Sequence, residues 1–167
     1  MFTTIEEFEK TFKQEAEGTQ KQMDALTDAY LSQSVAEDHR TLARVAWHII
    51  TTYPEMMSRT GLKIMSATEK APVPKAADEI KKEYAETTKQ LLEQIKANWD
   101  DAALQVEDDL YGEKWKRGMT LDILIRHEVH HRGQMTVLMR QAGLKVPGIY
   151  GPSKEEWVNY KMQEPEL

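Results

Sequence analysis

One short stretch holds three of the chain's five histidines: Arg126-His127-Glu128-Val129-His130-His131-Arg132-Gly133-Gln134. A helix turns about 100° per residue, so positions four apart, such as His127 and His131, lie on nearly the same face. The apolar residues around them project into the same sector, namely Leu124, Met135, Leu138 and Ala142. The pair is therefore predicted to lie on the buried seam of a helix, with His130 on its flank.

A histidine on a buried seam places polar ring nitrogens in an apolar environment. An unsatisfied buried polar group costs about 1–3 kcal/mol, so each imidazole needs a hydrogen-bond partner or a metal ion. Two imidazoles side by side on one helix are typical of a metal site. The alternative is that His127 and His131 are hydrogen-bonded core residues, and both interpretations stay open on spacing alone.

The composition limits the classes of function. With 167 residues the chain is most simply one domain, residues 1–167. A net charge of −6 argues against nucleic-acid binding, which needs a basic face. No cysteine is present, so a metal ion would need histidine, carboxylate or water as ligands. We expect a soluble cytoplasmic protein, because no apolar run approaches the ~18 residues of a membrane span and the acidic N-terminus lacks signal-peptide features.

Two amphipathic helices are predicted in the first third of the chain, where apolar residues recur three and four apart. The first is expected to begin at the overlapping capping residues Thr3 and Thr4 and to continue to Tyr30. The second is expected to follow a capping box at Ser34. Pro54 should end or kink this second helix, because proline removes a backbone hydrogen bond.

Two further helices are predicted in the second half. The third is expected from about Ala76 to Asn98. The fourth should be capped by Thr120, contain the histidine stretch and end at Gly143, a natural residue after a helix end. Between these two helices the chain should be irregular, with a short extended piece around Leu104 and Val106.

The four helices predict an all-α fold, an antiparallel four-helix bundle with a short extra C-terminal helix capped by Ser153 and Glu156. Such bundles build metal and ligand sites from side chains on facing helices. His48, on the second helix, is then the candidate third ligand beside His127 and His131. For His48 alone, a half-buried helix histidine without a metal remains the alternative. Three protein ligands would leave coordination positions open, as in catalytic metal sites.

The same stretch also matches the zinc-protease pattern HExxH, in which the glutamate, here Glu128, is the general base. The extended form of that motif continues with a glycine and a third histidine, but this chain has Gln134 and Val137 there. A glutamate ligand further along would have to be Glu155 or Glu156, beyond a stretch rich in proline and glycine. The protease is therefore the least favoured alternative.

Three segments match a known family: Ala46-Trp47-His48-Ile49, His127-Glu128-Val129-His130-His131-Arg132-Gly133-Gln134, and Gly143 followed by Pro147-Gly148-Ile149-Tyr150-Gly151. Through them the chain resembles, over essentially its whole length, the DinB-like (DinB/YfiT) superfamily of bacterial four-helix-bundle metalloproteins. The resemblance implies one divalent metal ion, zinc, nickel or iron among members, bound by His48, His127 and His131. It also implies homodimers and, for some members, thiol S-transferase or isomerase activity with low-molecular-weight thiols.

Two hypotheses of different classes follow. The first is a metal-dependent enzyme of the thiol-transferase or hydrolase kind, with Gln134 and His130 as candidates for orienting the ligands or a substrate. The second is a non-catalytic metal- or ligand-binding bundle used in a stress response, whose coordination positions would be closed by protein groups or reached by no pocket. The expected partner is a small molecule, and neither nucleic acid nor a membrane. The roles of Glu128 and His130 stay open.

Overall fold

The computed structural model describes residues 1–166, which form four long α-helices, a two-stranded hairpin and three short 3-10 helices. Helix α1 spans Ile5–Asp24, α2 spans Leu42–Ser58, α3 spans Ala77–Asn98 and α4 spans Arg117–Gln141. Strand β1 (Glu107–Leu110) pairs antiparallel with β2 (Glu113–Lys116), and the 3-10 helices are Asp28–Tyr30, Ala102–Gln105 and Lys154–Tyr160. The chain is mainly helical, and the hairpin corrects the all-α prediction.

Threonine caps define the beginnings of the first two helices. The Thr4 side chain accepts a hydrogen bond from the Glu7 amide, as the predicted capping box requires. Helix α2 begins after Thr41, whose side chain accepts from the Arg44 amide. The predicted cap at Ser34 is wrong, because Ser34 forms an isolated antiparallel bridge with Thr41 in the loop before the helix.

Two other boundaries in this half also differ from prediction. Helix α1 ends at Asp24, and Tyr30 lies exposed in the 3-10 helix that follows. The Asp28 carboxylate in that turn accepts a hydrogen bond of 2.7 Å from the amide that begins α3, which stabilises the turn. Pro54 lies inside α2 and does not end it. Burial of Met56 and Met57 beyond the proline offsets the lost hydrogen bond.

The hairpin occupies the region predicted to be irregular. Tyr111 and Gly112 form its two-residue turn, both with positive φ (59° and 86°), as this kind of tight turn requires. The extended piece predicted around Leu104 and Val106 is misplaced, because Leu104 lies in a 3-10 helix and Val106 just after it. The strands follow immediately, with Leu110 buried against the core.

Helix α4 begins earlier than predicted, at Arg117, because β2 leads directly into it. Thr120 is therefore not its cap but lies in the first turn, where its hydroxyl donates to the Lys116 carbonyl. The helix ends at Gln141. Gly143 follows in the left-handed conformation with φ of 78°, which confirms the predicted role of this glycine.

The C-terminal segment is fastened to two of the helices. The predicted last short helix is present as a 3-10 helix, with the predicted capping box of Ser153 and Glu156. Arg132 of α4, only 3% exposed, donates to the Glu15 carboxylate of α1 over 2.7 Å. The Tyr150 hydroxyl donates to the same carboxylate oxygen over 2.6 Å. This cluster joins α1, α4 and the C-terminal segment, with Arg132 and Glu15 buried and Tyr150 largely exposed.

The long helices pack around an apolar core. Helix α1 contacts α3 and α4, and α2 contacts α3 and α4. The largest fully buried side chains come from α1, α2, α3 and the loop after α1: Phe8, Phe12, Met23, Leu26, Leu42, Ile49, Ile50, Tyr53, Met57, Ile80, Tyr84 and Leu91. Contact between α2 and α4 brings the two predicted parts of the metal site to one interface. No helix within residues 1–166 combines the length and the hydropathy that crossing a membrane requires.

Candidate metal centre

Three histidines from two facing helices meet at the interface of α2 and α4. One ring nitrogen from each of His48, His127 and His131 lies within 4.8 Å of the other two. Their ring centroids are 4.4 to 4.9 Å apart. The Nε2 atoms of His48 and His127 are separated by 3.2 Å. The structure therefore brings together the three residues that the sequence selected.

Helix periodicity and helix packing place these side chains. His127 and His131 are one turn apart on α4, so they point the same way, as the sequence predicted. His48 faces them from α2, and its carbonyl accepts a hydrogen bond of 2.8 Å from the Thr52 hydroxyl within that helix. His131 is buried, with 8% of its surface exposed, and the other two histidines are half-buried.

Burial keeps the three imidazoles neutral. Loss of solvent, followed by the nearby charge of Arg40 and of the other imidazoles, lowers the pKa of His48 to about 4. Loss of solvent and the neighbouring imidazoles lower the pKa of His127 to about 4 as well. The pKa of His131 is also lowered, mainly by burial. At neutral pH each ring carries a lone pair, which is the form that a metal ion requires.

The arrangement of ring nitrogens fits a cation. The two Nε2 atoms 3.2 Å apart can share only one proton, so three neutral imidazoles cannot satisfy one another fully. The Nδ1 atom of His48 is buried and has no hydrogen-bond partner among residues 1–166. A divalent transition metal ion would use the lone pairs of the facing Nε2 atoms, and an all-histidine donor set suits zinc, nickel or iron.

Gln134 and His130, the two residues predicted to orient the site, form a chain of contacts that ends at His131. The Gln134 Oε1 atom accepts a hydrogen bond of 2.7 Å from His131 Nδ1. This contact fixes the tautomer of His131 and leaves its Nε2 free to act as a ligand. The Gln134 side-chain amide in turn lies 3.1 Å from Nε2 of His130, which is exposed on the flank of α4.

Two cavities border the histidines. The first has a volume of about 400 Å³, and its lining includes His48, His127, Thr51, Thr52, Glu55, Glu69 and Tyr111. The second has a volume of about 330 Å³ and is lined by Val35, His39, Arg40, Val45, His131, Gln134, Val137 and Leu138. No fourth histidine, aspartate or glutamate of residues 1–166 joins the cluster. Space for small molecules therefore lies beside both parts of the site.

Sequence analysis missed three polar residues of these cavities. Arg40 lies in a charged run that looks like solvated surface, and only the fold carries it to α4. Glu55 lies two helical turns after His48 on the same face of α2, which was the one available signal. Tyr111 comes from the hairpin turn, and its hydroxyl donates to the Glu55 carboxylate over 2.6 Å. Burial and this contact raise the pKa of Tyr111 to about 12.

Glu128 does not occupy the position of a protease general base. It is 1% exposed, and its two carboxylate oxygens accept hydrogen bonds from the Tyr53 and Tyr84 hydroxyls in the core. Burial raises the pKa of this carboxyl. Glu155 forms an ion pair with an arginine at the end of α4, and Glu156 accepts from the Ser153 amide. The protease alternative therefore lacks both its base and its glutamate ligand.

Comparison with known proteins places the chain among relatives of similar length. A family model described as the DinB family matches residues 1–166. The chain is 41% identical to the uncharacterized protein YrdA of Bacillus subtilis (strain 168) over 167 residues, with 100% of each chain covered. It is 47% identical to a DinB-like protein from Bacillus cereus ATCC 10987, whose crystal structure matches with a TM-score of 0.87 over 90% of this chain and 100% of that chain.

A second crystal structure shows the same fold at low sequence identity. The DinB-like protein YjoA from Bacillus subtilis is 19% identical, with a TM-score of 0.66. The match covers 86% of this chain and 97% of that chain. At this identity the likeness concerns the fold alone.

Proposed function

This chain belongs to the DinB family, and we propose that it is a metal-dependent enzyme whose divalent transition metal ion is bound by His48, His127 and His131. One observation carries the proposal: three neutral imidazoles meet beside two cavities, with no fourth ionisable ligand among residues 1–166. Zinc, nickel and iron all suit such a donor set. The four long helices and their pairwise contacts support, as part of this proposal, an antiparallel four-helix bundle.

The chain's own residues would hold the ligands in place and keep them unprotonated. Gln134 fixes the tautomer of His131, and burial keeps the three rings neutral. When bound, the metal ion would lower the pKa of a coordinated thiol or water and so supply a nucleophile at neutral pH. Glu128 would not take part in proton transfer, because two tyrosines hold its carboxylate in the core.

We place the reaction in the thiol S-transferase or hydrolase class, with a low-molecular-weight thiol as the favoured nucleophile. A transfer reaction needs space for two substrates, and the two cavities beside the histidines supply it. They also weigh against the non-catalytic alternative, which expects no reachable space at the ligands. Homodimerisation and a cytoplasmic location remain predictions, which sedimentation equilibrium and cell fractionation test.

A conjugation assay tests the enzymatic proposal. The chain contains no cysteine, so the protein itself does not consume a thiol-reactive electrophile. We expect protein loaded with zinc, nickel or iron to accelerate the conjugation of a small thiol with 1-chloro-2,4-dinitrobenzene, in which the sulfur replaces chloride. The chelator-treated protein and the His131→Ala variant should lose this acceleration, and His39→Ala should keep the metal content unchanged. Loaded protein without acceleration for any thiol or ester substrate would contradict the proposal.

A further inference from the structure

We propose that the cavity beside His131 binds a carboxylate of the substrate, which Arg40 holds while the substrate's apolar body lies against the valine and leucine side chains of the same cavity. This inference rests on the proposed function, because it assigns a substrate class to the same metal site. It predicts a substrate with three parts: a metal-binding atom such as a thiol sulfur, an apolar body and a carboxylate.

The wall of this cavity carries a positive charge. Arg40 lines this cavity, and no carboxylate of residues 1–166 forms an ion pair with it. Five of the chain's seven arginines do have carboxylate partners, namely Arg59, Arg117, Arg126, Arg132 and Arg140. A guanidinium without a partner at a cavity offers a fork of donors that matches a carboxylate.

This positive charge lies in the same cavity as one of the candidate metal ligands. Arg40 lines the same cavity as His131 and Gln134, so one small molecule in that cavity can contact all three. A short molecule in this cavity can therefore reach from His131 to Arg40.

Much of the remaining cavity wall is apolar. Val45 and Leu138 are 3% and 4% exposed and form part of its wall, while Val137 is 53% exposed beside them. A volume of about 330 Å³ fits a small ligand. The apolar part of a substrate that lies between the metal ligands and Arg40 would therefore contact the valine and leucine side chains. A compact inorganic anion would leave these side chains without an apolar contact.

The other cavity is lined by two carboxylates and by no lysine or arginine of residues 1–166, which favours one direction for the substrate. Glu69 and Glu55 line the space beside His48 and His127. Arg59, the ion-pair partner of Glu55, does not line it. Tyr111 in that cavity keeps its proton, which it donates to Glu55. A carboxylate would be repelled there and attracted by Arg40, so the anionic end of the substrate should lie on the side of His131.

Thiol binding to the cobalt(II)-loaded protein tests this inference. The probes are 3-mercaptopropionate and 6-mercaptohexanoate, each compared with the uncharged mercaptoalkanol of the same length. Thiolate-to-cobalt charge-transfer absorbance reports the Kd of each probe. We expect one of the acids to bind about tenfold more tightly than the alcohol of the same length. This ratio corresponds to the lower end of the range for a hydrogen bond to a charged group. We choose the lower end because Arg40 is exposed to solvent.

Two arginine variants locate the carboxylate. Arg40→Gln should remove the preference for the acid while cobalt content and alcohol binding stay unchanged. Arg44→Gln is the matched control, because Arg44 is the other arginine without a carboxylate ion pair among residues 1–166 but does not line the cavity. This control should keep the preference.

The outcomes separate this inference from the proposed function. Equal Kd values for acid and alcohol in the wild type would overturn the inference while leaving the metal site intact. A preference that survives Arg40→Gln, or that Arg44→Gln removes to the same extent, would also overturn it. Failure of the wild type to bind cobalt would contradict the proposed function itself, and the inference would fall with it.

Discussion

His131 is the residue on which the geometry of the candidate metal centre depends most. Its ring centroid lies 4.4 Å from that of His127 and 4.6 Å from that of His48. It is the most buried of the three histidines, and its Nδ1 atom donates to Gln134. A ligand whose second nitrogen is held in this way keeps one tautomer and one ring orientation, which strengthens metal binding.

Replacing Gln134 by leucine should weaken metal binding without removing a ligand. The variant loses the acceptor of the His131 Nδ1 proton, so the ring is free to change tautomer and orientation. We expect the Kd for zinc to rise about 10–100-fold, the usual effect of losing such a partner, as measured by competition with a chromogenic chelator. His130→Ala, which removes the outer contact of Gln134 and an edge-on ring contact with His131, should change the Kd less. Equal affinity in Gln134→Leu and wild type would show that Gln134 does not orient the ligand.

Some residues of the site can be predicted from the sequence, and others cannot. His127 and His131 could be paired from spacing, because helical periodicity is a local property. His48 needed an assumption about helix packing, which the contact between α2 and α4 confirms. Arg40 could not be found, because its place at the cavity depends on how the loop before α2 folds. Residue spacing cannot show which loop side chain a fold brings to a helix on another part of the chain.

At the scale of elements, α4 connects the site to the rest of the core. Three of its buried polar residues point to different neighbours within little more than one turn. Glu128 accepts from tyrosines of α2 and α3, His131 faces His48 of α2, and Arg132 pairs with Glu15 of α1. These contacts fix the rotation of α4 about its axis, and therefore the direction of its histidines. The apolar stripe and the histidine spacing predicted the contact of His131 with His48, but they could not predict the contacts of Glu128 and Arg132.

At the beginning of α4, Gly118 packs closely against the N-terminal segment, and this contact can be tested through its effect on stability. A Cβ atom on Gly118 would lie 2.1 Å from the Phe2 carbonyl oxygen, and the Phe2 amide donates to the Gly118 carbonyl. Gly118→Ala should therefore displace the N-terminal segment and lower the free energy of unfolding by about 1–3 kcal/mol in urea titrations. Gly133→Ala on the same helix is the control, because nothing lies within 4 Å of its Cβ position. It should instead raise stability by up to about 1 kcal/mol.

Similar losses in both glycine variants would show that the effect comes from the helix backbone and not from the contact with Phe2.

The helices and the hairpin differ in how well the sequence predicts them. The existence and order of the four helices were predictable because their apolar periodicity extends over many turns, but the end of α1 and the beginning of α2 were misplaced by more than one turn. The strands of the hairpin have four residues each, too few for a clear alternation, and their turn places Tyr111 at positive φ. The hairpin depends on packing against the helices, which the local sequence does not encode.

At the scale of the whole molecule, folding changes the protonation of the metal ligands. The fold holds His48 and His127 with a pKa of about 4, whereas a free histidine has 6.5. Between these values the unfolded chain binds more protons than the folded one, so acidification favours unfolding. The stability that these rings contribute is complete above about pH 6.5 and is lost as the pH falls towards 4.

This linkage predicts the pH dependence of stability for the metal-free protein. The free energy of unfolding, measured by urea titration in the presence of a chelator, should rise between about pH 4 and pH 6.5. The double variant His48→Leu, His127→Leu should show a smaller rise over that interval. His39→Leu, which changes an exposed histidine outside the cluster, is the control and should keep the wild-type slope. A double variant with the wild-type slope would contradict the cause assigned here.

The binding of one divalent metal ion to the three histidines is best tested by the metal content of untagged protein. We would determine it by elemental analysis for wild type, His131→Ala and the flanking control His130→Ala, after incubation with zinc, nickel and iron salts. We expect one transition metal ion per chain in wild type and His130→Ala, and little or none in His131→Ala. No metal in the wild type, or full retention in His131→Ala, would contradict it.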